Sequence, residues 1–220
     1  DLGLGDPSIW PDAAAGYAAC EAASADSPAQ GCVGAGTGAT VGKLFGMDRA
    51  MKGGIGTASV KVGAVTVGAL VVVNAIGDII DPANGRLIAG ARGPDGLPLG
   101  STQALLNGAL PALQLQGMAT TLGLVATDAR LDKAAAKKMA QMSHDGLART
   151  INPVHTVSDG DVMFALATGA SGLAGNLNLL GVLAAEMTAL AVLRAIRAAT
   201  GLYQPGLPQL PAARDLEQLG

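Results

Sequence analysis

Two adjacent threonines, Thr120 and Thr121, stand where a linker of small residues meets a buried strand. If the peptide bond before a threonine breaks, that residue carries a hydroxyl nucleophile beside a free α-amine. Such an amine titrates at about 7.7 to 8.0, so it can accept the hydroxyl proton near neutral pH. Threonine is also β-branched and suits the start of a strand. The pair therefore fits a catalytic nucleophile or an ordinary strand.

A second group of polar residues lies in "NPVHTVSDGDVMFALATG", where His155, Asp159 and Asp161 precede another strand. Gly160 allows a tight backbone between the two carboxylates. These aspartates could contribute to a cation site, but the loop lacks the further oxygen ligands of a calcium-binding loop. A simple polar turn is the alternative.

Asn74 is a lone amide within the apolar stretch "LVVVNAIGD". Burying an amide costs about 1–3 kcal/mol unless its hydrogen bonds are met. Asn74 is therefore either a core asparagine with satisfied hydrogen bonds or a donor aimed at an oxyanion that develops during a reaction.

The glycine-rich run "GCVGAGTGATVGKLFG", residues 31–46, resembles a phosphate-binding loop only superficially. Thr37 stands where the first glycine of a P-loop is needed, and Leu44 replaces the hydroxyl residue after Lys43. The dinucleotide fingerprint fails as well, because Ala39 takes the third glycine position and the next acidic residue, Asp48, follows too closely. The run therefore favours a role other than nucleotide binding.

The elements that must position these groups are helices and strands in mixed order. The apolar periodicity predicts helices over 11–25, 132–149 and 177–200, and strands over 56–62, 64–74, 120–126 and 161–168. Residues 81–85 form a turn, 87–100 an exposed loop, and 101–119 a weak helix and linker. The order lacks simple βαβ repetition and any solenoid repeat, which indicates an α+β fold with helices covering a stacked pair of sheets.

Composition narrows the function classes. The 220 residues are half apolar but only 2% aromatic, with 32 glycines, which predicts one domain (1–220) with small aliphatic residues and closely packed backbone in its core. The net charge of −3 is scattered, so we expect no nucleic-acid partner. The most hydrophobic stretch, 62–80, is interrupted by glycines and polar residues and indicates a buried strand rather than a membrane span. Cys20 and Cys32 show neither a disulfide scaffold nor metal-ligand spacing, which favours a cytoplasmic location.

Six motifs in this order carry a resemblance to a known family: "GAGTGATVGK", "KGGIGTASV", "VVVNAIGDIIDPANG", "TTLGLVATDARL", "HDGLARTINPVHT" and "DGDVMFALATG". Together they resemble the P1 family of peptidases, also called DmpA-type or S58 aminopeptidases, which includes relatives that hydrolyse β-peptides and nylon oligomers. The resemblance extends from about Gly31 to the C-terminal helix.

The resemblance implies an αββα sandwich of the N-terminal-nucleophile hydrolase type, made as a precursor that cuts itself. The family's cut falls before a Ser or Thr at the start of the strand that reads "TTLGLVATD" here. That position implies a scissile bond between Ala119 and Thr120 and makes Thr120 the nucleophile. The cut would give an α part (1–119) and a β part (120–220). Thr121, one residue further and on the other face of the strand, is the fallback.

By the same resemblance, Asn74 is the oxyanion-hole donor, Lys43 helps to set the protonation of the nucleophile, and Asp159 and Asp161 orient its amine and hydroxyl. The expected substrate is a small peptide or an amino-acid amide, and no metal or organic cofactor is required. We expect a homo-oligomer of processed units and no membrane partner.

Two departures from the family pattern bear on these expectations. Ala119 stands where the family usually has Asn or Gly before the nucleophile. The family also has a sizeable segment ahead of the position of Asp1, which carries strands of the sandwich and a tyrosine of the site. We therefore expect either a fragment or a natural short form. The alternatives to a hydrolase are a self-cleaving acyltransferase and a non-catalytic assembly subunit.

Overall fold

The structure is a computed structural model that describes residues 4, 8–112 and 119–217. The helices in the described part are α1 (Ala13–Glu21), α2 (Ser101–Leu106), α3 (Lys133–Thr150), α4 (Leu177–Ala198) and α5 (Ala213–Glu217). The strands are β1 (Thr40–Val41), β2 (Met51–Lys52), β3 (Gly54–Val62), β4 (Val65–Val73), β5 (Asp78–Asp81), β6 (Arg86–Ala89), β7 (Leu122–Thr127), β8 (Ile151–Asn152) and β9 (Val162–Ala167).

The central sheet has four strands in the order β3-β4-β7-β9. β3 and β4 form a hairpin whose turn contains Gly63. Its φ is 60°, a conformation that glycine adopts without strain. β4 pairs antiparallel with β7, and β7 pairs parallel with β9. The parallel pair brings the start of β7, just after Thr120, beside the start of β9, just after Asp161.

The two long helices cover one face of this sheet. α3 begins after Asp132, whose carboxylate accepts a hydrogen bond from the Ala135 N–H at 2.7 Å and so caps the helix. α4 packs against β3 so closely that a Cβ at Gly56 would lie 2.2 Å from the Ala191 carbonyl oxygen. By length and composition α4 could cross a membrane, but 56% of its apolar window is buried within the protein, as in a core helix.

The other face of the sheet is apolar and partly exposed. Leu122, Phe164 and Leu166 are each more than 40% exposed there. The central sheet and the helix layer on it agree with the α+β class expected from the sequence.

Two smaller sheets lie near the edge at which the polar residues gather. One has the order β6-β5-β8, and the other pairs β1 with β2. After β1 the main chain runs beside the segment that follows β4, since the Gly42 and Lys43 N–H groups donate to the carbonyls of Gly77 and Ile76, each at 2.9 Å. These contacts place Lys43 beside Asn74.

The predicted elements are present with shifted boundaries. The helix predicted over 11–25 is shorter, because α1 buries no side chain that would extend it, and the helix predicted over 177–200 ends at Ala198. The exposed loop predicted over 87–100 begins as strand β6. The weak helix predicted over 101–119 is α2, and residues 113–118 of that stretch lie outside the described residues. The strands β1, β2, β5 and β8 and the helix α5 were not among the predicted elements.

Candidate active site

The Ala119–Thr120 peptide lies between the end of β4 and the loop before β9. The Thr120 N–H donates to the main-chain carbonyl of Asn74 at 2.9 Å. On the other side Ala119 and Asp159 form a parallel bridge, and the Gly160 N–H donates to the Ala119 carbonyl at 2.9 Å. The bond before Thr120 is therefore held in place from both directions.

The Thr120 hydroxyl points back at this bond. Its Oγ1 lies 2.7 Å from the Ala119 carbonyl oxygen, to which it donates a hydrogen bond. The space beyond it is narrow, because a Cβ at Gly160 would lie 2.7 Å from the same Oγ1. The hydroxyl and the carbonyl group immediately before it are thus neighbours in the continuous chain.

Thr121, the fallback nucleophile, has a different environment. Its side chain is fully buried, and its Oγ1 has no hydrogen-bond partner among the described residues. Its main-chain N–H and carbonyl are used by the Asp161 carboxylate and by the Val162 N–H. Thr121 is therefore tied into the sheet, whereas Thr120 stands at its entrance.

Asn74 and Lys43 form a hydrogen-bonded pair beside Thr120. Lys43 Nζ donates to Asn74 Oδ1 at 2.8 Å, and the Thr40 N–H donates to the same oxygen at 3.1 Å. These donors fix the orientation of the amide, and no described residue accepts a hydrogen bond from its Nδ2. Asn74 is half-buried rather than part of the core.

The ammonium group of Lys43 is buried, with 2% of the residue exposed. Burial lowers the pKa of Lys43 to about 8, against the opposing influence of the Asp159 and Asp161 carboxylates. A lysine with a pKa in this range exchanges protons near neutral pH, which an ordinary surface lysine does not.

The two carboxylates flank Thr120 without touching its side chain. Asp159 accepts from the Ile76 N–H at 3.2 Å and from Thr156 Oγ1 at 2.7 Å, and Asp161 accepts from the Thr121 N–H at 2.8 Å. The predicted role of both residues in orienting the amine and hydroxyl of Thr120 stays a prediction, since that amine becomes free only after cleavage.

The glycine-rich run lets backbone segments approach each other near this site. Gly42 has φ of 70°, and a Cβ there would lie 2.1 Å from the Ala91 main-chain nitrogen. Lys43 follows directly, so the close approach fixes the point from which its side chain reaches Asn74.

Three residues contribute to the site in ways that were not predicted from the sequence, although His155 and Gly160 were singled out there. Gly160 supplies a main-chain donor to the Ala119 carbonyl, Thr156 holds Asp159, and His155 contacts Asp161 with its ring Nδ1 at 2.8 Å. The signal that could have found them is the density of polar residues in "VHTVSDGD", where each polar side chain needs a partner within the same loop.

Comparison with known proteins settles the family. The model of peptidase family S58 matches residues 10–206, which is most of the chain. The chain belongs to peptidase family S58. The resemblance carried by the six sequence motifs is thereby confirmed.

Relatives of this S58 chain include an uncharacterized aminopeptidase of Mycobacterium leprae, 44% identical over 179 residues that cover 77% of this chain and 48% of the relative. A 6-aminohexanoate-oligomer endohydrolase of Kocuria sp. is 32% identical over 211 residues, covering 90% of this chain and 59% of the relative. The S58 chain thus spans about half the length of the mycobacterial relatives it matches.

Solved structures place the S58 chain in the N-terminal-nucleophile hydrolase fold. A beta-aminopeptidase of Burkholderia sp. matches with a TM-score of 0.64 and 27% identity, covering 94% of this chain and 57% of that chain. The L-aminopeptidase D-Ala-esterase/amidase of Ochrobactrum anthropi, described as a variant of the Ntn hydrolase fold, matches with a TM-score of 0.68 and 24% identity, covering 99% and 58%. The fold class expected from the sequence is confirmed.

Proposed function

We propose that this chain is the catalytic part of an amide hydrolase that cuts its own backbone before Thr120 and then hydrolyses small peptides or amino-acid amides. The hydrolysis passes through an acyl-enzyme on Thr120. Membership of family S58 and the Ntn hydrolase fold support the reaction class. The choice of nucleophile depends on the geometry around residue 120.

One observation carries the proposal: the Thr120 hydroxyl and the Gly160 N–H converge on the Ala119 carbonyl, at 2.7 and 2.9 Å. In the proposed self-cleavage, Oγ1 attacks the carbonyl carbon and the hydroxyl proton passes to a base. The base returns this proton to the Thr120 nitrogen, the bond from Ala119 to that nitrogen breaks, and the nitrogen leaves as an amine. The Gly160 N–H stabilises the negative charge on the carbonyl oxygen. Water then hydrolyses the resulting ester, which releases Ala119 as a carboxylate.

The base for this first step has to come from outside residue 120, because the Thr120 nitrogen is still an amide. Lys43 is suited to it, since its pKa of about 8 leaves a fraction of it neutral at physiological pH and since it donates to Asn74, whose main chain bonds Thr120. After cleavage the free Thr120 amine is itself a base beside the hydroxyl.

In the hydrolysis of a substrate, Thr120 Oγ1 attacks the substrate carbonyl and the Thr120 amine takes its proton. The Nδ2 of Asn74, which no described residue uses as a donor, stabilises the oxyanion. The amine then protonates the leaving amine of the substrate, and water releases the acyl group. No metal or organic cofactor takes part in these steps.

The names of two relatives guide the choice of substrates to test. Two relatives are named for substrates in which the amine and carbonyl are separated by more than one carbon, a beta-aminopeptidase and a 6-aminohexanoate-oligomer endohydrolase. A panel of α-amino, β-amino and 6-aminohexanoyl amides therefore covers the substrates to be tried. A cytoplasmic location and an oligomer of processed units complete the proposal.

The test uses the purified full chain and this amide panel. We expect turnover of at least one class of amide by the wild type, none by Thr120→Ala, and retained turnover by Thr120→Ser, which keeps a hydroxyl nucleophile. Turnover by Thr120→Ala at the wild-type rate would contradict the proposal.

The matched control is Thr121→Val. It removes a buried hydroxyl that has no hydrogen-bond partner among the described residues, so it should fold at least as stably as the wild type. We expect Thr121→Val to cut itself and to turn over substrate. Loss of both properties in Thr121→Val, with both kept in Thr120→Ala, would move the nucleophile to residue 121.

A further inference from the structure

A chain of hydrogen bonds leads from the cleavage site to helix α3. The Thr121 N–H donates to Asp161 Oδ1 at 2.8 Å, and the other carboxylate oxygen, Oδ2, lies 2.8 Å from the His155 ring Nδ1. The His155 Nε2 in turn lies 3.3 Å from the Nδ1 of His144 on α3. One oxygen of the Asp161 carboxylate thus contacts the residue after the proposed nucleophile, and the other contacts the histidine pair.

His155 is held in an uncommon backbone conformation. Its φ is 54°, and among the described residues no other non-glycine has a positive φ. A residue with a Cβ disfavours this region, and such a conformation persists where the surrounding contacts impose it. Here the main-chain N–H of His155, at 3.4 Å, and the ring Nδ1 reach the same Asp161 oxygen.

The histidine pair connects a buried carboxylate to solvent. The Asp161 side chain is 3% exposed, whereas that of His155 is 38% exposed. Both histidines line a cavity of about 350 Å³, together with Gln141, Asp159 and Asp161. Solvent protons can therefore reach the histidine pair.

We propose that His155 is a positioning residue of this hydrolase, which holds Asp161 against the backbone at the nucleophile, and that His144 makes this contact sensitive to pH. The inference rests on the proposed function. The hydrogen bonds of His155 among the described residues go to His144 and Asp161 rather than to Thr120 or the scissile bond, so it acts through Asp161.

The pH sensitivity follows from the contact between the two rings. One ring nitrogen must donate and the other accept, so the pair can hold one extra proton but not two. With two extra protons both facing nitrogens are donors, the contact breaks, and His155 is no longer fixed from the α3 side.

The charges around the pair set where this happens. Burial and the neighbouring His155 lower the pKa of His144, while Asp161 and Asp145 oppose this shift. Asp159 lines the same cavity as the pair, and the carboxylates of Asp159 and Asp161 both influence Lys43. His144 therefore takes up its proton below the ordinary histidine pKa of about 6.5, and activity should fall in that range.

The first test compares His155→Ala, which loses the donor to Asp161, with His155→Asn, which keeps an amide donor and suits a positive φ. We expect kcat of His155→Ala to fall about 10- to 100-fold with KM little changed, as for the loss of a hydrogen bond to a charged group, and His155→Asn to recover much of it. Gln141→Ala, in the same cavity wall, is the control and should behave as the wild type. Unchanged kcat in His155→Ala would overturn the proposal.

The second test is the pH profile of kcat. In the wild type we expect a fall below pH 6.5, part of which disappears in His144→Gln, because glutamine does not titrate. Identical acid limbs in the two proteins would contradict the role of His144.

A third measurement separates this inference from the proposed function. NMR titration of the His144 ring needs no turnover. Asp161→Asn should lower the pKa of His144, because the carboxylate that raises it is gone, and His155→Asn should raise it, because a neighbouring imidazole is gone. If no amide is hydrolysed but these shifts occur, the proposed function fails and the coupling stands. If the shifts are absent, the pH-sensing role of His144 is wrong whatever the activity.

Discussion

Two buried lysines differ in their surroundings. Lys43 lies within the glycine-rich run, residues 31–46, and Lys52 lies shortly after it. Lys43 and Lys52 are 2% and 3% exposed, and burial lowers the pKa of both. Lys43 donates to the side-chain oxygen of Asn74 and lies near two carboxylates. Lys52 donates to the main-chain carbonyl of Thr37 at 2.8 Å, and the nearby titratable group is Cys32.

Burial and a lowered pKa therefore do not distinguish these two lysines, whereas their hydrogen-bond partners do. Lys52 joins a strand to a loop through a backbone carbonyl, which is a structural contact. Lys43 is linked through one asparagine to the threonine at the proposed cleavage site. A lysine is a candidate for proton transfer when its partners are also polar groups of the site.

The sharpest test of this contrast is to replace each lysine by methionine. We expect Lys43→Met to slow self-cleavage and amide hydrolysis by about 10²- to 10⁴-fold, the usual contribution of a positioned acid or base. Lys52→Met should keep both activities. Gel analysis of the fragments and amide turnover measure the two effects, and equal losses in both variants would remove the distinction.

Asn74→Ala removes the side chain that Lys43 contacts and Lys52 does not. Loss of an oxyanion donor typically lowers kcat by about 10²- to 10³-fold, and we expect that loss with the fold retained. Asn84→Ala, in the exposed turn after β5, serves as the control for an asparagine outside the site. Full turnover by Asn74→Ala would show that its Nδ2 has no part in the reaction.

The pH dependence of self-cleavage separates the lysines in a third way. If neutral Lys43 is the base, its neutral fraction grows from about a tenth at pH 7 to about nine-tenths at pH 9, and the rate rises up to about tenfold over that interval. A time course with chain made in a cell-free system would show this rise. The rise should persist in Lys52→Met, and a rate that falls above pH 8 would indicate that the protonated form is needed instead.

The smallest expected effect is on stability. The pKa of Lys43 is about 8 in the folded chain and near 10.5 when unfolded, so the folded state binds fewer protons between these values. The free energy of unfolding should therefore rise with pH through this window, by up to ~3 kcal/mol from this group.

Denaturant unfolding of Thr120→Ala, which stays one chain, measures this rise. The double variant with Lys43→Met should be the more stable protein at pH 7 and should lose most of the advantage by pH 10. A constant difference between the two proteins would mean that Lys43 is not the group that titrates.

Much of this arrangement was predictable from the sequence. The long helices α3 and α4 and the strands β3, β4, β7 and β9 follow from apolar periodicity, because each buries one continuous face. Thr120, Asn74, Lys43, Asp159 and Asp161 followed from their residue types together with the family motifs, and the structure brings them into one region.

The remainder depends on long-range contacts that leave little local signal. β1 and β2 are two residues each and exist because Thr40 pairs with Lys52 across the fold. The Gly160 N–H bonds the chain before β7, and His155 contacts His144 on helix α3. Both contacts form because the loop before β9 packs against distant segments, which residue spacing in the sequence does not predict.

The central claim is that the chain severs itself immediately before Thr120. Intact mass measurement with N-terminal sequencing of the purified chain tests it directly. The account predicts a C-terminal fragment that begins with Thr120 in the wild type and a single unbroken chain in Thr120→Ala. A wild-type protein that stays whole at 21.6 kDa, or a fragment that begins at any other residue, would contradict it.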